Sequence, residues 1–166
     1  MDLIVRDAQP GDASAILAVL NPIIESGLYV VFDAPFTEQE ERRYIAELPS
    51  RGIFHIAVRL DDGVLVGFQS LEPFATFTHA FDHVGVVGTY VDLACRGQCV
   101  ADRLFAATFD AARCKGYEKI FTYIRDDNPA ALAAYVKHGF RVVGKAERQA
   151  KIGGRYVDEI FVERIL

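Results

Sequence analysis

Near the middle of the chain, a β-prone segment leads through a tight polar turn directly into a helix. Residues 84–93 are apolar and β-prone, residues 96–98 read Arg-Gly-Gln, and apolar side chains recur at helical spacing from Val100 until Gly116. A further strand at 119–124 makes this helix a crossover, which indicates a parallel strand pair. The junction also points unpaired backbone N–H groups at one position, which favours an anion such as a pyrophosphate. A helix N-terminus packed under a loop is the alternative for this segment taken alone.

The remaining segments predict a mixed α/β architecture. Asp12 is the expected N-cap of a first helix, Thr37 and Glu40 form a capping box, and Asn128-Pro129 opens a later helix. The predicted strands cover residues 3–5, 54–60, 64–71, 84–93, 119–124, 140–149 and 156–163. The predicted helices cover residues 12–25, 37–48, 100–116 and 128–139. The order β-α-α-β-β-β-α-β-α-β-β, without linker or repeat, favours a single domain over residues 1–166, with helices on a central mixed sheet of about seven strands.

Composition excludes several classes of protein. The chain has 166 residues, of which 51% are apolar and 25% charged, as in ordinary folded domains. A net charge of −5 offers no basic field for nucleic acid, and no apolar run approaches the ~20 residues that span a bilayer. The three cysteines are odd in number and lack metal-ligand spacing, so we expect reduced thiols, no metal and a cytoplasmic location.

A second segment, one strand after the first, makes the functional interpretation of the turn more specific. Residues 128–140 read Asn-Pro-Ala-Ala-Leu-Ala-Ala-Tyr-Val-Lys-His-Gly-Phe. Together, the two segments resemble the GCN5-related N-acetyltransferase (GNAT) superfamily, whose pyrophosphate loop reads Gln/Arg-x-x-Gly-x-Gly/Ala and whose later helix carries Asn, Ala, Tyr and Gly-Phe at this spacing. The matching residues are Arg96, Ala101, Asn128, Ala131, Tyr135, Gly139 and Phe140. The resemblance implies the acyl-CoA N-acyltransferase fold of that superfamily.

Two further segments look like the phosphinothricin and amino-acid N-acetyltransferases within that superfamily. They are residues 21–25 in the first helix and residues 151–158 in the last hairpin. The resemblance implies acetyl-CoA as co-substrate and direct acetyl transfer, in a ternary complex, to the primary amine of an amino acid or an amino-acid-like compound. It also implies a homodimer.

The resemblance places the cofactor between the strands that end near Leu93 and Ile124. Main-chain groups at Val91 and Leu93 would face its pantetheine arm, and Tyr135 would protonate the departing thiolate as general acid. The pyrophosphate would bind the turn formed by Arg96, Gly97, Gln98, Cys99, Val100 and Ala101. Asn128, Ala131 and Tyr135 would line the same site, although an N-cap and a core aromatic also explain Asn128 and Tyr135. Cys99 is a departure, because the first loop glycine of the family falls on it.

The general base is not apparent from the motif. Similar enzymes carry a glutamate where this chain has Val86. The candidates nearby are Glu72, His79, Asp82 and His83, of which Glu72, at the end of a strand, is the predicted base.

Aromatic residues near the expected cleft are candidates for the acceptor pocket, although core packing explains them as well. They are Tyr29, Phe32, Phe74, Phe77 and Tyr156.

Two other functions stay open at this stage. One keeps the acetyltransferase chemistry but takes a protein N-terminus or lysine as acceptor. The other is a non-catalytic module that binds coenzyme A, which Cys99 and Val86 favour and the spacing of Asn128 and Tyr135 disfavours.

Overall fold

A computed structural model describes all residues from 1 to 166 and contains seven strands and four α-helices. The strands are β1 (Leu3–Asp7), β2 (Ile53–Arg59), β3 (Leu65–Pro73), β4 (Val84–Val91), β5 (Lys119–Arg125), β6 (Arg141–Ile152) and β7 (Arg155–Ile165). The helices are α1 (Ala13–Glu25), α2 (Glu38–Ala46), α3 (Val100–Cys114) and α4 (Pro129–Lys137). The element order confirms the predicted mixed α/β class. None of the helices has the length and apolar character that crossing a membrane requires.

All seven strands belong to one sheet with the order β1-β2-β3-β4-β5-β7-β6. Only β4 and β5 are parallel neighbours, because α3 carries the chain back across the sheet between them. The other neighbouring pairs are antiparallel. The last strand inserts between β5 and β6, so the C-terminal hairpin closes the sheet on that side.

Helices cover both faces of the sheet. The residues of α1 and α2 pack on one face, in a core that includes Ile16, Ile23 and Phe68. The opposite face packs against α3 and α4, with Phe105 and Val162 among the core residues. Side chains of β4 therefore alternate between two different environments.

The pairing of β4 with β5 stops early. Register pairs join only Val84–Val86 to Lys119–Phe121. Beyond them, β4 remains paired with β3 as far as Val91, and β5 remains paired with β7 as far as Arg125. Both strands thus continue as parts of separate half-sheets, and a gap opens between their facing edges.

Two local expectations differ from the structure. We expected a strand to reach Leu93, but β4 ends at Val91 because the Asp92 side chain accepts a hydrogen bond from the Ala94 amide (2.7 Å) and starts a 3-10 turn. Asp12 stands at the start of α1 without capping it. Its carboxylate binds the Arg6 guanidinium (2.8 Å) instead. The capping box of α2 is confirmed.

The segment between α1 and α2 is fixed over one end of the gap. Asn21 binds the Phe36 backbone twice, donating to its carbonyl (3.0 Å) and accepting from its amide (3.1 Å). Arg125 Nη1 donates to the carbonyls of Gly27 (2.8 Å) and Val30 (3.2 Å). The segment therefore forms a wall of the gap rather than a free loop.

Candidate active site

The gap between β4 and β5 widens into a cleft of about 910 Å³. This volume lies within the range of small-molecule sites. Its walls come from β4, β5, the N-terminus of α3, one face of α4 and the segment between α1 and α2. Of the predicted cofactor residues, Val91, Arg96, Gly97, Cys99, Val100, Ala101, Asn128, Ala131 and Tyr135 line it.

Two predicted cofactor residues do not line the cleft. Leu93 sits in the 3-10 turn with 41% of its surface exposed. The side-chain amide of Gln98 turns back and donates to the Ala94 carbonyl (3.2 Å). Neither side chain is part of the cleft wall.

The N-terminus of α3 is open toward the cleft. Cys99 is its N-cap residue but its side chain makes no capping hydrogen bond, so the first-turn N–H groups are left for another acceptor. Gly97, at φ 74°, has no heavy atom within 4 Å of where a side chain would begin. Arg96 lies beside this space, its guanidinium 3.9 Å above the centre of the Tyr29 ring. The arrangement suits a bound phosphate.

Cys99 occupies a backbone conformation that favours glycine. Its φ is 63°, in the left-handed region, where a Cβ costs about 1–2 kcal/mol. Glycine, which the resemblance leads us to expect at this position, avoids this cost. The thiol itself is exposed.

Tyr135 extends from α4 into the bottom of the cleft and is only 7% exposed. Its hydroxyl donates to Thr89 Oγ1 (2.9 Å). The rings of Phe105 and Phe140 stand edge-on to it, with centroids at 5.3 and 5.0 Å. Burial raises the pKa of Tyr135 to about 12. Hydrogen bonds with Thr89 and Thr122 lower this pKa, but their effect is smaller than that of burial. The phenol therefore stays protonated at neutral pH and can serve as a proton donor.

Sequence reasoning missed two polar side chains behind Tyr135. Gln69 on β3 is fully buried, and its amide nitrogen donates to Thr89 Oγ1 (2.7 Å). With this amide on one lone pair, Thr89 still has a proton to donate and a second lone pair for Tyr135. The signal in the sequence was a glutamine inside an apolar strand.

Asn128 holds two parts of the cleft wall together. Its side-chain oxygen accepts from the Ala131 amide (3.1 Å), which caps α4. Its side-chain nitrogen donates to the Tyr29 carbonyl (3.4 Å). With 9% exposure, Asn128 fixes α4 relative to the segment after α1.

Glu72 lies on the face of the sheet opposite to Tyr135. It is the register partner of Val86, the position at which the resemblance leads us to expect a glutamate, so the two side chains stand next to each other. The Tyr44 hydroxyl donates a hydrogen bond to its carboxylate. The other base candidates, His79, Asp82 and His83, are exposed and lie outside the cleft.

Two further carboxylates line the cleft and were missed from the sequence. Glu41 on α2 is 7% exposed and Glu159 on β7 is 4% exposed; neither makes a hydrogen bond or an ion pair. Burial raises the pKa of Glu41 to about 7, and it also raises that of Glu159. Glu41 lies one helical turn before Ile45, on the buried side of α2, and this spacing is the sequence signal for a buried Glu41.

The predicted acceptor aromatics separate into two groups. Tyr29 and Phe32 line the cleft. Phe74 lines a different cavity, Phe77 is 85% exposed, and Tyr156 is 51% exposed beneath the Arg148 guanidinium (4.0 Å). The structure does not bring these last three residues to the cleft.

Cys99→Gly tests the strain in the turn. We expect the free energy of unfolding to rise by about 0.5–1 kcal/mol, because the relief of the left-handed conformation exceeds the extra freedom that glycine gains in the unfolded chain. Urea denaturation measures the change. Cys99→Ala is the matched control, since it removes the sulfur but keeps the Cβ. Equal stability of the two variants would contradict the strain.

Glu41→Gln tests the buried carboxylate. The folded protein holds a proton on Glu41 that the unfolded chain, with a pKa near 4.5, releases, so stability falls as pH rises from about 4.5 through about 7. We expect the variant to be more stable than the parent by about 1 kcal/mol at pH 8, allowing for solvent screening, and no more stable at pH 5.

Thermal unfolding at the two pH values measures this difference. Glu47→Gln removes the same charge from an exposed position just after α2 and is the control. A Glu41→Gln variant that is less stable than the parent at pH 8 would show that the carboxylate has a partner in the fold.

Comparison with known proteins gives the family. The model of the Acetyltransferase (GNAT) family matches residues 23–140. A phosphinothricin N-acetyltransferase of Streptomyces coelicolor is 26% identical over 140 residues, covering 82% of this chain and 81% of the relative. An L-methionine sulfoximine/L-methionine sulfone acetyltransferase of Pseudomonas aeruginosa is 25% identical over 167 residues, covering 98% and 94%.

A solved structure supports the same fold. It is the crystal structure of a GNAT superfamily phosphinothricin acetyltransferase from Sinorhizobium meliloti in complex with AcCoA. The TM-score is 0.90 at 19% sequence identity, over 100% of this chain and 89% of the other. The resemblance drawn from the two sequence segments is confirmed: the chain belongs to the acetyltransferase (GNAT) family, in its phosphinothricin N-acetyltransferase-like branch, and is an enzyme of that family.

Proposed function

We propose that the protein transfers an acetyl group from acetyl-CoA to the primary amine of a small, amino-acid-like molecule. The observation that carries the proposal is the gap between β4 and β5, with a protonated, buried Tyr135 on one face of the sheet and the carboxylates of Glu41 and Glu72 on the other. The names of two relatives support the substrate class, because they act on phosphinothricin and on derivatives of L-methionine. The single domain, cytoplasmic location and homodimer stay predictions.

The site fits acetyl-CoA in two respects. The edge of β4 beyond Val86 has no strand partner on the side of β5, so its main-chain groups are free for the amides of a pantetheine arm. The open N-terminus of α3 and the space at Gly97 suit the pyrophosphate. Acetyl-CoA supplies an activated thioester to this arrangement.

In the proposed reaction, the neutral amine attacks the thioester carbonyl directly. A nitrogen–carbon bond forms, the carbon–sulfur bond breaks, and the sulfur leaves with the electron pair. Tyr135 gives its proton to this sulfur. Its raised pKa does not prevent the transfer, because the apolar surroundings of Phe105 and Phe140 disfavour a thiolate as they disfavour a phenolate.

The proton of the attacking amine needs an acceptor on the other face of the sheet. Glu72 is the proposed base, since its carboxylate stands next to Val86, where the resemblance leads us to expect a glutamate. Tyr44 holds that carboxylate in one orientation. This division puts the base on one face of the sheet and the acid on the other, so the two proton transfers do not compete.

Tyr135→Phe tests the proposed reaction. In an assay of thiol release from acetyl-CoA with a panel of small amines, we expect free thiol in equal amount to N-acetylated amine. We expect the variant to lose about 100-fold in kcat while its Kd for acetyl-CoA changes less than about twofold, because the hydroxyl acts on the leaving sulfur. Tyr117→Phe is the control, since it removes a buried hydroxyl that binds the Arg51 carbonyl outside the cleft.

The other outcomes separate the alternatives. Unchanged kcat in Tyr135→Phe across the pH range removes Tyr135 from the mechanism. Binding of acetyl-CoA without thiol release for any amine or peptide would identify a non-catalytic module. Acetylation of peptides alone would identify a protein acceptor.

A further inference from the structure

Glu41 is a carboxylate without a partner at the acceptor end of the cleft. It lines the cleft from α2, has only 7% of its surface exposed, and makes no hydrogen bond or ion pair with the protein. Its carboxylate oxygens still contact the space of the cleft, although proteins normally pair a carboxylate that is withdrawn from solvent. An unpaired one inside a binding cleft therefore indicates a ligand group of opposite charge.

The surroundings of Glu41 add to the negative character of this end. Glu72 is nearby through Tyr44, which lies one helical turn after Glu41 and binds the Glu72 carboxylate. Glu159, also without a partner, lies farther along the cleft, beside Arg125 on β5, and does not belong to this group. The rings of Phe32 and Tyr90 stack in this wall (centroids 6.4 Å apart) and offer apolar faces for methylene groups or a cation.

The cations at this end are either neutralised or exposed. The Arg125 guanidinium is bound in two places by the Asp127 carboxylate (2.8 and 2.7 Å) and donates further to backbone carbonyls. Arg43 is exposed at the rim of the cleft. No buried, unpaired cation is present in the wall to receive a carboxylate from the acceptor.

We propose that the acceptor is a small amine with a second protonated nitrogen, as in a diamine or a diamino acid, and that Glu41 binds this second nitrogen while the first is acetylated. The inference rests on the proposed acetyl transfer to small amines and specifies the charge of the acceptor; a diamino acid lies within the amino-acid-like class proposed above, and a diamine lies outside it. A diamino acid would extend its carboxylate toward Arg43 at the rim. Glu41 is thus a specificity-determining residue.

Matched pairs of amines test the proposal. Thiol release from acetyl-CoA is measured at pH 8 with 1,4-diaminobutane against butylamine and with lysine against norleucine, which differ in one ammonium group. We expect kcat/KM of the parent enzyme to favour the doubly charged member of at least one pair by about 20-fold or more, and we expect Glu41→Gln to reduce this ratio to below about threefold. Glu47→Gln, outside the cleft, should keep the parental ratio.

Two results would overturn the proposal. The first is equal or better use of butylamine and norleucine by the parent enzyme. The second is an unchanged ratio in Glu41→Gln; if that variant also loses activity equally for all four amines, Glu41 is a base or a general binding residue. Folding of Glu41→Gln is checked independently, because we expect it to be at least as stable as the parent at pH 8.

A binding measurement separates this proposal from the proposed function. If none of the four amines releases thiol, the proposed acetyl transfer to small amines is wrong. The change in Tm with each amine in the presence of coenzyme A then tests whether Glu41 binds a protonated nitrogen. A larger increase in Tm with 1,4-diaminobutane than with butylamine, lost in Glu41→Gln, would support the cation site. Equal shifts would overturn it.

Discussion

The parallel pairing of β4 and β5 ends after three residue pairs, and the arrangement of the cleft depends on that early end. Each strand is held on its other edge by an antiparallel neighbour along nearly its whole length, so neither can bend across to close the gap. Backbone N–H and C=O groups facing each other across the gap are left without the partners that a sheet normally provides. Such groups form hydrogen bonds with water or with a ligand that has its own amides. The gap can therefore hold an extended ligand such as a pantetheine arm.

The sheet separates two kinds of chemistry because alternate residues of β4 face opposite sides. Thr89 faces α3 and α4, where Gln69 and Tyr135 form a buried hydrogen-bonded group of neutral side chains. Val86 faces the other side, next to Glu72. A proton donor and a set of carboxylates thus approach the same gap from opposite faces. This geometry suits a transfer in which one end of the reacting group gains a proton while the other loses one.

The sequence predicts those parts of the fold and site that depend on neighbours along the chain. The capping box at Thr37, the turn before α3 and the cap at Asn128 are local signals, and the structure has each helix where they place it. The ends of strands depend on single side chains such as Asp92, which is why β4 is shorter than expected. The left-handed backbone of Cys99 explains why glycine is the residue expected at that position.

Other features of the site follow from packing between distant segments, which no local pattern encodes. An aromatic residue is equally compatible with a cleft wall, as at Phe32, and with an exposed loop, as at Phe77. Glu41 looks like one more charge in the acidic first part of α2, and only the docking of that helix over the sheet makes it a buried carboxylate. Burial then changes its chemistry by raising its pKa.

The most direct test of the account is the change in Tm on adding acetyl-CoA, because the gap is the element on which the assigned roles depend. Ligand at about 100 times its Kd adds about 2.7 kcal/mol to the free energy of unfolding. For a chain of this length, we expect an increase in Tm of about 5–10 °C. An unchanged Tm at saturating acetyl-CoA would contradict the account, since it would mean that the gap between β4 and β5 does not hold the acetyl donor.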